Sequence, residues 1–195
     1  MRTRLLYNLS ELTNFASQYN AYAGAERYKA KDFWGLHVRV FYRQEEIVAG
    51  YVVNHTPPYR TLSWIPPMSM RKIDILNREP KTTFAEVNAL WINRHLPNSY
   101  RASIYCSSVI DCALKKTNYI LGGCLVKNVL KTQMRALPHL MWSGTSTPFG
   151  KPSDTWIFYA HPLEAVLRLP YAVVGGWYER ISKKFAGEKY KYCDW

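Results

Sequence analysis

The sequence predicts an α+β protein built on a single mixed, mostly antiparallel central sheet flanked by helices. Three stretches carry that prediction. Leu36 to Arg43 alternates apolar and polar residues, Gln44-Glu45-Glu46 can turn the chain, and Ile47 to Asn54 returns, which together make an antiparallel hairpin. Phe84 to Arg94 reads as a strand that passes through His95-Leu96-Pro97 into a helical pattern. Tyr119 to Val126, YILGGCLV, reads as a short buried strand followed by a second helical stripe. The chain has 195 residues, 48% of them hydrophobic and 15% aromatic, which suits a packed core and excludes disorder. We expect one domain over residues 1–195, with 162–195 as a C-terminal helical extension.

Taken in order, Leu5 to Tyr7 is expected as a first short strand. Ser10 then caps a helix carrying Leu12, Phe15, Ala16, Tyr19 and Tyr22 at helical spacing, with Glu11 at its positive end. Gly24 closes or kinks this helix, and the stretch to Lys31 continues as a second helical piece. In the hairpin, Leu36, Val38, Val40 and Tyr42 oppose His37, Arg39, Phe41 and Arg43. Gly50 lets another backbone approach or bends the sheet, and Pro57-Pro58 stops the strand. Tyr59 to Ile65 is expected as a third short strand before Pro66-Pro67, and Met68 to Thr83 as a loop with room for one short helix.

The central strand places Val87, Ala89 and Trp91 on one face and Glu86, Asn88, Leu90 and Ile92 on the other. Asn98-Ser99 offers side-chain oxygens to cap the helix that follows. Its apolar face is expected at Ala102, Cys106, Val109 and Ala113, flanked by Ile104, Tyr105, Ile110 and Leu114. A strand that hands over to a helix N-terminus through a short polar loop makes an anion site, because free N–H groups and the positive dipole end converge there. Arg101 adds a mobile positive charge in that first turn. Further on, Gly122-Gly123 marks a close backbone approach. Asn128 caps a helix with the stripe Leu130, Met134, Leu137 and Met141, which Pro138 kinks or ends near Leu137. Ser143 to Asp154 is expected as a loop, Thr155 to Ala160 as a strand, and Pro162 to Phe185 as helix broken at Pro170 and Gly175-Gly176. Tyr190 to Trp195 is too short to assign.

Composition narrows the chemistry. No apolar run approaches the roughly 20 residues of a membrane span, and the N-terminus lacks the apolar stretch of a signal peptide, so the expected location is cytoplasmic. Cys106, Cys112, Cys124 and Cys193 have no zinc spacing; we expect buried thiols and no metal. His55, His95, His139 and His161 are scattered without a Cys or Ser partner, which disfavours a triad. The net charge of +12 points first to nucleic acid and second to an acidic protein, peptide or membrane surface. Its densest patch is Lys183-Lys184 with Lys189 and Lys191, and a merely solvated basic surface is the alternative.

The order of helix, hairpin, central strand, anion-loop helix, buried strand, helix and strand resembles the GNAT superfamily of N-acyltransferases, over Leu5 to His161. In that family the central strand splays from its neighbour and leads into a pyrophosphate-binding loop that holds the acyl carrier's pantetheine arm. The resemblance places this loop at Asn98, Ser99, Tyr100, Arg101, Ala102 and Ser103. The family's loop is usually Q/R-x-x-G-x-G/A; this chain has N-x-x-R-x-S, without either glycine. The resemblance therefore implies acyl-coenzyme A bound mainly by Arg101, or an acyl-phosphopantetheine carrier protein. It further implies Glu86 as the carboxylate that aligns or deprotonates the amine, Asn128 as the residue at the head of the next helix, and Tyr159 as the acid. The implied activity is transfer of an acyl group, including a long one suited to an aromatic-lined tunnel, from a thioester to the amine of a peptide or small molecule. No metal is required, and an acidic peptide or carrier protein would suit the basic surface. Each residue has a plainer reading: Glu86 as a paired strand carboxylate, Ser99 and Asn128 as caps, Arg101 as a solvated residue, Tyr159 as core. A basic nucleic-acid-binding or DNA-modifying protein on the same fold is the alternative function.

Overall fold

The computed structural model of the chain describes residues 1–24, 27–78, 81–125 and 127–185, without the side chains at 128, 129, 149 and 176–185. Strand β1 (Arg2–Leu6) leads into helix α1 (Leu9–Ala23), then β2 (His37–Arg43) and β3 (Glu46–Asn54). A long connection with short helical turns, among them α2 (Pro67–Met70), reaches β4 (Phe84–Ile92) and α3 (Asn98–Ala113). Then follow β5 (Tyr119–Cys124), α4 (Lys127–Ala136), β6 (His139–Ser146), β7 (Ser153–Ala160) and α5 (Pro162–Phe185). The strands form one sheet in the order β1-β2-β3-β4-β5-β7-β6. Every pairing is antiparallel except β4 with β5. This is the mixed, mostly antiparallel α+β sheet expected from the sequence.

The two sheet faces are covered differently. On one face, Tyr51, Val53, Ala85, Ile120 and Phe158 pack with Ile104 and Cys112 of α3 and Ala165 of α5. The other face is shared. Leu12, Phe15, Ala16 and Tyr19 of α1 cover Val38, Val40 and Val52. Beyond them, Leu62, Trp64, Ile65 and Ile73 cover Phe84, Leu121 and Ile157. Fully burying each such side chain is worth about 1.5–3 kcal/mol. Gly50 sits where a Cβ would lie 2.7 Å from Phe15, and a Cβ at Gly122 would lie 2.6 Å from Leu137. At Gly123 it would collide with Trp64. The glycines expected to mark close approaches do so.

Several boundaries differ from the sequence-based expectations. Asn8, not Ser10, caps α1, its Oδ1 accepting from the Glu11 N–H at 2.9 Å. Gly24 closes that helix at φ 63° as expected. The hairpin turns on Gln44 and Glu45, both at positive φ. Tyr59 to Ile65 is not a strand: its residues enter a 3-10 turn, Leu62–Trp64, and press Trp64 and Ile65 down onto the sheet. Met141 belongs to β6 rather than to the stripe of α4, because the helix ends at Ala136 ahead of Pro138. Much of the expected Ser143–Asp154 loop is the β6–β7 hairpin. Helix α5 runs through Pro170 and Gly175 unbroken. Residues Lys189 to Trp195, with Cys193, lie outside the described residues.

Helix α3 departs most from a simple apolar stripe. Its buried residues are Arg101, Ile104, Ser108, Asp111 and Cys112, while Ile110 and Leu114 are exposed. Asp111 explains the rotation. Its carboxylate accepts from Arg39 Nε at 2.6 Å and Nη2 at 3.0 Å, from Tyr51 Oη at 2.8 Å and from His37 Nε2 at 2.8 Å. His37 Nδ1 lies 3.1 Å from Lys115 Nζ. A lysine ammonium only donates, so in this contact Nδ1 accepts and Nε2 donates to Asp111. Burial alone would raise the Asp111 carboxyl, but these hydrogen bonds override it and hold the group well below the usual carboxylate range. Burial and then the Asp111 charge push the Tyr51 hydroxyl far up. The network clamps α3 to β2 and β3, so the polar face of the helix points inward there. Cys106 and Cys112 are thiols that burial raises above their ordinary value, and Cys124 is buried in the same core.

Candidate active site

The site begins where the parallel pair comes apart. Strands β4 and β5 pair only through Phe84–Tyr119, Ala85–Ile120 and Glu86–Leu121. Beyond Glu86, β4 stays with β3 alone, up to Ile92 opposite Ala49. The two strands therefore diverge toward their C-terminal ends and leave a V-shaped gap, as the strand–loop–helix order anticipates. On the gap side, the N–H groups of β4 past Glu86 have no strand partner among the described residues, so they can donate to a bound carbonyl oxygen.

Within this free half, β4 carries a bulge. Val52 faces Asn88 and Gly50 faces Trp91, so Ala89 and Leu90 together oppose Tyr51, and Ala89 sits at φ 46°. That conformation costs a non-glycine residue of order 1 kcal/mol. The bulge also resets the side-chain alternation. Glu86, Asn88, Ala89 and Trp91 share one face, while Val87, Leu90 and Ile92 share the other with α3. The expected grouping of Ala89 and Trp91 with Val87 is thus corrected: the extra residue shifts everything after it by one.

Glu86 is fully buried. Its Oε1 accepts from Asn54 Nδ2 at 3.2 Å, the Arg60 N–H at 2.8 Å and Asn88 Nδ2 at 2.8 Å, and its Oε2 from the Thr61 N–H at 2.9 Å. The carboxylate ties the connection after β3 to the centre of the sheet. Four donors offset the cost of burying its charge.

Beside Glu86 lies a cleft of about 260 Å³, reaching from Asn54 and Asn88 on the sheet to Tyr28, Trp34 and Arg60 on its rim. Asn88 is two residues past the last β4–β5 pair, so the cleft opens next to the fork. At the far end of β4, the 93–97 turn leads into α3. No side chain caps this helix; Pro97 holds the cap position, and Asn98 and Ser99 lie inside the first turn rather than capping it. Asn98, Ser99, Tyr100 and Ser103 are exposed and Ala102 is half-buried. The open N–H groups of that turn, together with the helix dipole, suit an anion. Arg101 is not mobile. It is 8% exposed and turns back to donate from Nη1 to the Arg94 carbonyl at 3.3 Å, which braces the turn.

Tyr159 stands in β7 opposite Leu121, which itself stands opposite Glu86. The row puts the two residues on one face with Leu121 between them, about 10 Å apart at the backbone. The Tyr159 ring meets Tyr119 edge-on, with centroids 5.3 Å apart, and lies tilted against the His139 ring at 5.2 Å. Asn128 falls within the first turn of α4, and its side chain lies outside the described residues. The structure thus gathers the fork, Glu86 and the α3 turn around β4 and leaves Tyr159 two strands away. Sequence reasoning did not find Asn54, Arg60, Trp34 or the Ala89 bulge. An alanine at positive φ leaves no mark in a sequence, and the cleft residues come from two separate connections and two strands.

No family model matches the sequence, and no curated protein matches it. Solved structures do resemble the fold. FeeM, an N-acyl amino acid synthase from uncultured soil microbes, superposes with a TM-score of 0.63 at 11% identity, over 86% of this chain and 99% of that one. The ribosomal-protein-alanine N-acetyltransferase of Brucella melitensis gives 0.54 at 10% identity, over 83% and 99%. The yncA protein of Salmonella typhimurium, solved with its cofactor acetyl-CoA, gives 0.55 at 8% identity, over 83% and 94%. At these identities the likeness is one of fold.

Proposed function

We propose that this chain, whose fold is that of the GNAT N-acyltransferases, transfers an acyl group from a coenzyme A or carrier-protein thioester to an amine. The observation that carries the reading is the fork: β4 leaves β5 after Glu86, and the uncapped end of α3 stands beyond it. The resemblance to a structure solved with acetyl-CoA supports a thioester co-substrate, and the small cleft supports a small-molecule amine.

In this reading the phosphates sit at the first turn of α3, over Asn98 to Ser103, with Arg101 holding the turn's shape and adding charge. The pantetheine arm takes the place of a strand between β4 and β5. Asn128 heads the helix on the far side of the gap. The thioester carbonyl rests against the free N–H groups of β4, which are aimed at the oxyanion that forms when the amine attacks. Glu86 aligns the acceptor indirectly, by fixing Asn88 and the 60–61 backbone at the wall of the cleft. The amine nitrogen bonds to the carbonyl carbon, the C–S bond breaks, and the amine proton leaves to water. Tyr159 or water returns a proton to the departing thiolate.

The test is thiol release from acyl-coenzyme A esters of graded chain length, measured with a panel of amines, alongside mass analysis of the product. An amide product with stoichiometric thiol supports the proposal. Thioester that is neither bound nor consumed, with coenzyme A or with an acyl carrier protein, removes it.

A further inference from the structure

The free edge of β5 carries Gly122 and Gly123, and the space their side chains would fill is taken from both faces of the sheet. The pair follows Leu121, the last residue of β5 to face β4, so it lines the gap at its narrow end. A Cβ at Gly122 would lie 2.6 Å from Leu137 Cδ1. A Cβ at Gly123 would run into the indole of Trp64 and lie 2.9 Å from Thr61 Cγ2. Neighbouring strand positions face opposite ways. Leu137 therefore closes the narrow end on the α3 face, and Trp64 closes it on the face that holds Glu86 and Leu121.

The two side chains are held differently. Leu137 is buried in the main core with Ile120, Cys124 and Phe158. Trp64 is only partly buried, packed against the smaller cluster of Ile65, Phe84, Leu121 and Ile157. It is carried on the 3-10 turn Leu62–Trp64, in the connection that Glu86 anchors through the Arg60 and Thr61 N–H groups. The buried carboxylate thus also fixes where the indole reaches over β5. An acyl group whose carbonyl lies on the free N–H groups of β4, with its arm running back to α3, points toward this narrow end. The strands close there at Glu86–Leu121, so a long chain has to leave the plane of the sheet. Leu137 stands in one exit and Trp64 in the other. A short acyl group needs neither exit, whereas a longer one has to displace packed side chains, which is unfavourable.

Resting on the acyl-transfer reading, we propose that Trp64 sets the length of the acyl group: its indole, seated on Gly123, blocks the exit on the Glu86 face and confines transfer to short acyl donors such as acetyl. Gly123 is the other half of the device, because only a residue without a Cβ lets the indole lie against the strand. The aromatic-lined tunnel for a long chain, which the family resemblance allows, is closed in this chain by one of its own aromatic rings.

The experiment measures kcat/KM for acetyl-, butyryl-, octanoyl- and dodecanoyl-coenzyme A with one accepted amine, and Kd for the same esters by calorimetry. One methylene in an apolar pocket changes kcat/KM by roughly 10- to 200-fold, so the wild type is expected to prefer acetyl to octanoyl by about 10-fold or more. Trp64→Ala opens the exit toward Leu121 and Ile157 and is expected to bring octanoyl level with acetyl or above it. Trp64→Phe gives a smaller shift in the same direction and serves where the alanine variant does not fold, which melting temperature reports. Gly123→Ala in the Trp64→Ala background refills part of the space and moves the preference back toward acetyl. Equal use of all four esters by the wild type, or a preference for dodecanoyl, overturns the proposal while leaving acyl transfer intact. A preference for acetyl that the Trp64 variants retain overturns the assignment to Trp64. If no ester is turned over, Kd decides in the same terms: chain-length selectivity that depends on Trp64 upholds the proposal, and selectivity independent of Trp64 overturns it. Binding of no ester overturns it together with coenzyme A as the donor.

Discussion

At Glu86 a single carboxylate organises two stretches of chain that are far apart in sequence. Its donors come from β3, from the connection after it and from β4 itself. Glu86→Gln keeps the shape but turns one accepting oxygen into a donor, so at least one buried N–H loses its partner. The expected loss is about 1–3 kcal/mol, or roughly 2–12 °C in melting temperature for a chain of this size. If the residue only aligns the cleft, the variant's rate deficit stays constant with pH. A deficit of about 10²–10⁴ in kcat that shrinks at high pH identifies it instead as the base. Asp111 makes a second prediction at this scale. Its folded-state carboxyl is depressed, so its contribution is present above the unfolded value near 4 and is lost as pH falls from there. Asp111→Ala leaves the Arg39 charge without this partner and is expected to cost about 3 kcal/mol or more at neutral pH. The gap between variant and wild type should narrow in acid, which urea denaturation at several pH values measures.

Among the elements, β4 and α3 act as one unit. The strand supplies free N–H groups because β5 leaves it, and the 93–97 turn carries the chain round to a helix end that no side chain caps. Arg101 links the two by reaching from the first turn of α3 to the Arg94 carbonyl. Arg101→Ala is expected to raise KM or Kd for the acyl donor by roughly 5- to 100-fold, corresponding to about 1–3 kcal/mol, with a smaller effect on kcat. Unchanged donor affinity would leave Arg101 as a brace for the turn and nothing more. The α3 C-terminal half is held separately through Asp111, so this variant should melt within a few degrees of wild type.

On the scale of the whole molecule, the charge of +12 has to be reconciled with a site of small dimensions. Arg60 lines the cleft and Arg27, Lys29 and Lys31 line the adjoining hollow, while the net charge as a whole gives a long-range positive field. Such a field speeds the approach of an acidic partner and is screened by salt. If an acyl carrier protein is the donor, its kcat/KM should fall by about 10-fold or more between low and high ionic strength, with acyl-coenzyme A affected less. Duplex DNA is the competing anion: inhibition of transfer by DNA at low salt that vanishes at high salt would mark non-specific phosphate contact. No described helix is long and apolar enough to cross a membrane.

Alternation and turn residues alone were enough to read the β2–β3 hairpin, the strand at Phe84, the helix after Pro97, the Gly122-Gly123 approach and the α+β class. Each of these is written in local periodicity or in a residue with restricted or expanded backbone freedom. The order of those elements further anticipated that β4 and β5 would part. Tertiary structure decided the rest. The Ala89 bulge changed which side chains share a face with Glu86, and its cause is the register against Tyr51 rather than anything in the sequence around Ala89. Arg101 and Asp111 are buried because partners at Arg94, His37, Arg39 and Tyr51 come to meet them, and no helical periodicity reports a partner on another strand. The cleft follows the same rule: Tyr28, Arg60 and Asn88 meet only because the sheet brings two connections and β4 to one place.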